Sequence, residues 1–299
     1  MKKLIYLLLA MPLLFASCSN DESVVCNETV QVSFSAALPT VMGTRAANGE
    51  LTVNKVVCAV FANGVEVENL REVVDIVDEN NIVFAPRLIK GRTYNVVFWA
   101  MKDANYNVED LTAISRVTNS LTNEADYDAF TATESITVQN SETKAIILRR
   151  PLAQLNIGIS AEDWDAAVSL GRTPNVTTIS YNGNDTFNAL TGEAVVTAQG
   201  TVTRTATAGG TIIVNGKNYK QLGMYYVLMA ETEQRTIDIN YSVADTEENP
   251  IRSGAEITFI PIQRNYKTNV VGGLLTGKIT YNITIDDEFN TSQNNNELN

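Results

Sequence analysis

Apolar and polar side chains alternate with a period of two through most of this chain, and no other feature narrows its fold as far. In "TVQVSFSAAL" (29–38), Val30, Val32, Phe34, Ala36 and Leu38 fall on one side and Gln31, Ser33 and Ser35 on the other. That is the pattern of a strand with one buried face. The rhythm returns in "NVTTISYNG" (175–183), "GEAVVTAQGT" (192–201), "KQLGMYYVLMA" (220–230), "RTIDINYSVAD" (235–245), "GAEITFIPI" (254–262) and "GKITYNITID" (277–286), with Asn, Gly, Asp and Pro clusters between. "NKVVCAVFANG" (54–64), "ENNIVFAPRL" (79–88) and "RTYNVVFWAM" (92–101) read as further strands. "ESITVQNSETKAIILRR" (134–150) reads as two strands around a hairpin turn at "QNSET". The fold expected is all-β, built as sandwiches of antiparallel strands.

One helix interrupts the pattern. "SAEDWDAAVSLG" (160–171) places Ser160 as N-cap, Glu162 and Asp163 in the first turn and Gly171 as terminator. Glu162, Asp163 and Asp165 around Trp164 are accordingly a charged helix start and not a carbohydrate-cleaving carboxylate pair. Residues 103–133 show no sustained period and read as a long connection with one short helical turn. Pro151 after Arg149 and Arg150 breaks the strand pattern and marks a boundary between two strand-rich halves, the alternative being one continuous sandwich.

Composition removes several functions. The chain of 299 residues carries 22 basic and 34 acidic side chains for a net charge of −12, with the basic residues scattered singly, which excludes a nucleic-acid footprint. It contains no histidine, so the commonest general base, the usual zinc ligand and every Ser-His or Cys-His nucleophile arrangement are missing. No calcium loop, phosphate-binding glycine loop or CxxC pair is present, and neither a cofactor nor catalysis is expected.

The N-terminus carries a separate message. Lys2 and Lys3 precede a short apolar run ending in "MPLLFASCSN" (11–20), too short to span a bilayer, as in a secretory signal. Phe15-Ala16-Ser17 leads directly into Cys18, which resembles the lipobox of bacterial lipoproteins and implies acylation of that thiol. Cys58 reads as a small buried hydrophobe and Cys26 as part of a polar tether.

"LRRPLAQLNIGIS" (148–160) and "IPIQRNYKTNVVGGLLTGKITYNITID" (260–286), with "VVFWAMKD" and "DYDAF", resemble the fimbrillin-like lipoproteins of Bacteroidetes, the subunits of type V pili. The resemblance implies two transthyretin-like β-sandwich domains in tandem, expected over 29–149 and 150–286, and the residues themselves add a signal peptide over 1–17, a tether over 18–28 and a tail over 287–299 too polar to order. It also implies export to the outer membrane through a lipid on Cys18, cleavage between Arg45 and Ala46 in "VMGTRAANGE", and other fimbrial subunits as partners.

Cleavage there would release the strand bearing Val30, Val32, Phe34, Ala36 and Leu38 and open an apolar groove. The ladder Ile279, Tyr281, Ile283 and Ile285 is a candidate donor from a neighbouring subunit, with the alternative that both ladders are ordinary strands of their own halves. A rival reading is a monomeric outer-membrane lipoprotein that binds a host glycan or protein through exposed aromatics such as Tyr106, Tyr181 or Trp164.

Overall fold

The computed structural model describes residues 28–39, 52–117, 124–195, 199–229 and 233–286. Strands dominate and are organised around three apolar clusters.

In the first half, strand Thr29–Ala37 lies between Glu142–Ile147 on one side and the short strands Ile82–Phe84 and Arg87–Ile89 on the other. A second sheet runs in the order Ala129–Thr137, Thr93–Met101, Lys55–Ala62, with Val65–Glu66 and Glu72–Asp75 both pairing to the last. Val32, Phe34 and Ala36 from the first sheet meet Val56, Cys58, Val60, Val96 and Phe98 from the second, and all are fully buried. The opposite faces of the same central strands are buried as well: Val57, Ala59, Phe61, Val97 and Trp99 join Leu152, Phe187, Tyr226 and Leu228 from the second half. Packing on both sides explains why "VVCAVF" and "VVFWAM" are continuous apolar runs and not alternating ones.

The second half repeats the plan. One sheet has the order Thr211–Val214, Lys217–Leu228, Leu152–Ile159, Lys267–Gly273, Thr280–Asp286, and the facing sheet the order Gln199–Thr207, Pro174–Asn184, Arg235–Asp245, Pro250–Ile262. In each half the opening strand pairs parallel with a strand near the end: 29–37 with 142–147, and 152–159 with 267–273. A small sheet of 106–107, 114–116, 186–188 and 193–194 joins the halves.

The helix Ala161–Ser169 begins and ends where its caps dictate, with the Ser160 hydroxyl accepting the Asp163 N–H at 3.2 Å and Gly171 at φ +75° beyond its C-terminus.

Two sequence expectations need correction. "QNSET" is not a hairpin turn: strand 129–137 pairs with 93–101 while 142–147 pairs with 29–37, so the chain crosses from one sheet to the other. The sheet strand begins at Ala129, inside the stretch read as a connection. "KTNVVGG" (267–273), which is not among the strands read from the sequence, is a central strand paired on both sides. Local alternation cannot reveal such pairings, because a parallel neighbour can lie anywhere along the chain.

Candidate functional site

Strand 29–37 is an apolar insert held on both edges. Its parallel partner runs from Val32 opposite Glu142 to Ala37 opposite Ile147, and its antiparallel partners place Phe34 opposite Phe84 and Val30 opposite Leu88. Val32, Phe34 and Ala36 are 0% exposed and Leu38 is 3% exposed, while Val30 is half-buried. The Phe34 ring lies 6.3 Å from that of Phe84 and 5.8 Å from that of Phe98, and Phe84 meets Phe98 edge-on at 6.2 Å. At roughly 1.5–3 kcal/mol per fully buried large side chain, this face is a major part of the first core. The outer face is polar, with the Ser35 hydroxyl donating to Asn81 Oδ1 at 3.0 Å.

The slot around this strand is therefore lined by phenylalanines and branched aliphatics and bordered by two hydrogen-bonding edges. Any occupant must be extended and carry apolar side chains at every second position.

Cys18, Cys26, Arg45 and Ala46 lie outside the described residues, as do residues 1–17, the tether up to residue 27 and the tail 287–299. The described chain resumes at Thr52, whose hydroxyl donates to Asp128 Oδ2 at 2.7 Å. Cys58 is a buried free thiol whose pKa burial pushes well above its ordinary value, with Glu72 adding to the effect.

The C-terminal ladder is placed in the chain's own sheet. Strand 280–286 runs antiparallel to 267–273, from Thr280 opposite Gly273 to Asp286 opposite Lys267. Ile279, Tyr281 and Ile283 pack half-buried against the second core, and Ile285 is 37% exposed. Its other edge carries no strand among the described residues.

The aromatic contacts expected at the surface are mostly inside. Tyr106 is 3% exposed and its hydroxyl donates to the Tyr127 carbonyl at 2.5 Å, Tyr181 is likewise 3% exposed, and Trp164 is half-buried. Alternation shows that a strand has two faces and leaves open whether both are covered.

Sequence reading missed the polar seam between the halves. Arg150 pairs bidentately with Asp128, Nε to Oδ1 at 2.7 Å and Nη2 to Oδ2 at 2.8 Å, and both side chains are fully buried. Arg116 donates to Glu124 Oε1 at 2.7 Å and to the Tyr226 carbonyl at 2.5 Å, while the Tyr226 N–H donates to the same Glu124 oxygen at 3.0 Å. "LRRP" and "EADYD" carry these charges, and nothing in the order of residues pairs them.

The model of a family of unknown function, DUF6562, matches residues 22–298. The chain belongs to DUF6562. No curated protein matches it. Among solved structures, this DUF6562 chain is similar to the fimbrial anchor protein Mfa2 from Porphyromonas gingivalis, at 13% identity and a TM-score of 0.47 over 86% of this chain and 97% of that one. It is similar to a candidate adhesin from Bacteroides thetaiotaomicron, at 13% identity and a TM-score of 0.49 over 87% and 97% of the two chains. It is also similar to the C-terminally truncated tip fimbrial protein Mfa3 from Porphyromonas gingivalis, at 12% identity and a TM-score of 0.45 over 87% and 100%.

Proposed function

We propose that the chain is a structural or accessory subunit of a cell-surface fimbria, exported as a lipoprotein through Cys18, matured by cleavage after Arg45, and assembled by strand complementation in support of adhesion. The observation that carries this reading is the first strand: a central strand whose Val32, Phe34 and Ala36 are fully buried, lying just upstream of the segment that contains Arg45. Losing it would leave a preformed slot whose edges and side-chain pockets select another alternating strand. Lipid on Cys18 would hold the subunit at the outer membrane until the cut releases it.

A second reading, a monomeric surface lipoprotein that binds a glycan or protein, is favoured by one feature. The candidate donor residues Ile279, Tyr281 and Ile283 are already paired and packed within their own sheet, so donation would require that edge strand to detach.

Treatment of the purified chain with an arginine-specific protease separates the two. The fimbrial reading expects one stable product beginning at Ala46 and oligomeric ladders that survive mild detergent. A chain that remains monomeric after cleavage, or is cut elsewhere while residues 29–37 are retained, overturns strand complementation.

A further inference from the structure

Where the two halves meet, a cleft of about 560 Å³ opens between the start of strand 129–137, the end of the first half at 147–150, the 189–192 loop and the 263–266 turn. That volume suits a small organic ligand. Among the described residues its lining contains Arg149, Arg150 and Arg264 and no acidic side chain, in a chain whose net charge is −12.

Arg264 is the unusual member. Arg150 and Arg116, its fellow arginines in the seam, each have a buried carboxylate partner. Arg264 has none among the described residues: its Nε donates to the Arg150 carbonyl at 3.3 Å, its Nη1 donates to the Gly192 carbonyl at 3.1 Å, and its guanidinium stacks 5.4 Å from the Phe187 ring centroid. Burial pulls its pKa below the ordinary arginine value. The fold thus holds a guanidinium in a set orientation, partly stripped of water, without supplying the countercharge that would compensate it.

The rest of the lining argues for a hydroxylated ligand. Thr191 and Gln263 offer hydroxyl and amide groups, Tyr266 offers a ring, and Leu190 an apolar wall. An added β-strand is disfavoured at Thr131, whose N–H and carbonyl already bond to the carbonyl and N–H of Arg149 at 2.8 and 3.0 Å.

We propose that this cleft binds a carboxylate-bearing saccharide, with Arg264 and Arg149 receiving the carboxylate and Thr191, Gln263 and Tyr266 the sugar ring. A planar guanidinium fork matches a carboxylate and leaves the ring hydroxyls to neutral partners. The cleft is complete in one chain, so the inference stands apart from strand complementation.

Calorimetric titration of the intact, uncleaved chain tests it, with three acidic probes (a galacturonate trimer, a hyaluronan tetrasaccharide and sialyllactose) and lactose as the neutral control. At least one acidic probe is expected to saturate at one site per chain, at least tenfold more tightly than lactose. Arg149→Gln and Arg264→Gln are each expected to weaken that binding at least tenfold. Arg149 is exposed, so Arg149→Gln with an unchanged thermal midpoint reads the site even where Arg264→Gln perturbs folding. No binding by any of the three, equal binding of lactose, or affinity unchanged by Arg149→Gln overturns the proposal. Tighter binding of a hexaglutamate peptide, competing for the same site, overturns it as well.

Discussion

Asp163 stands in the first turn of the helix, yet its carboxylate serves a loop more than a hundred residues away. Oδ2 accepts the N–H groups of Leu274 and Leu275, both at 2.7 Å, and Oδ1 accepts the Thr276 N–H at 2.9 Å and its hydroxyl at 2.6 Å. Burial pushes the Asp163 pKa up, and the Thr276 hydroxyl with the three backbone amides outweighs it, leaving the group below its ordinary value. A depressed folded pKa means stability that is complete above the unfolded value and lost as pH falls through the folded one. Asp163→Asn is therefore expected to lower stability at pH 7 by roughly 1.5–3 kcal/mol. The gap between the two proteins should shrink as pH falls below about 4, the ordinary range in which the unfolded chain's carboxylate takes up a proton while the folded one, held lower, still resists it. Urea denaturation at pH 7 and pH 3 measures both, and a gap independent of pH would refute the role. The sequence places Asp163 at a helix start, where negative charge is favourable; nothing local announces the loop it holds. The same limit hid the burial of Tyr106 and Tyr181, whose covering residues come from other elements.

Two alternating strands that look equivalent in the sequence have different standing in the fold. Strand 29–37 is central, with Val32, Phe34 and Ala36 wholly enclosed; strand 280–286 is an edge, with half-buried side chains and one neighbour among the described residues. Its attachment depends on a close approach at Gly272, where a Cβ would run into the Thr280 carbonyl oxygen and the Tyr281 backbone. Gly272→Ala is expected to loosen this edge by about 1–3 kcal/mol. Amide hydrogen exchange at 280–286 should then accelerate roughly ten- to a hundredfold, with 29–37 unchanged. Equal acceleration in both strands would mean that the edge does not open independently. Strand existence and face were legible here from period-two alternation alone. Rank within the sheet was not, since it depends on partners such as 142–147 and 267–273 that carry no mark of whom they join.

The halves are held by an apolar cluster around Trp99 and Phe187, whose ring centroids lie 5.6 Å apart, and by the two buried ion pairs of the seam. Removing one partner of such a pair strands a charge, so Asp128→Asn is expected to cost about 3–5 kcal/mol, whereas the double replacement Asp128→Leu with Arg150→Met should recover most of that loss. Denaturation midpoints of both variants decide the matter; a double variant as unstable as Asp128→Asn would show that the seam needs its charges. Alternation, turn residues and helix caps act between near neighbours, so the sequence by itself determined that this is an all-β chain with one capped helix, and which side of strand 29–37 turns inward. The parallel closure of each half, the burial of 55–62 and 93–101 on both faces, and the seam that leaves Arg264 without a countercharge among the described residues were decided only by tertiary structure. Each joins residues far apart in the chain, and hydrogen-bonding edges and apolar faces accept any partner of matching geometry until the whole fold selects one.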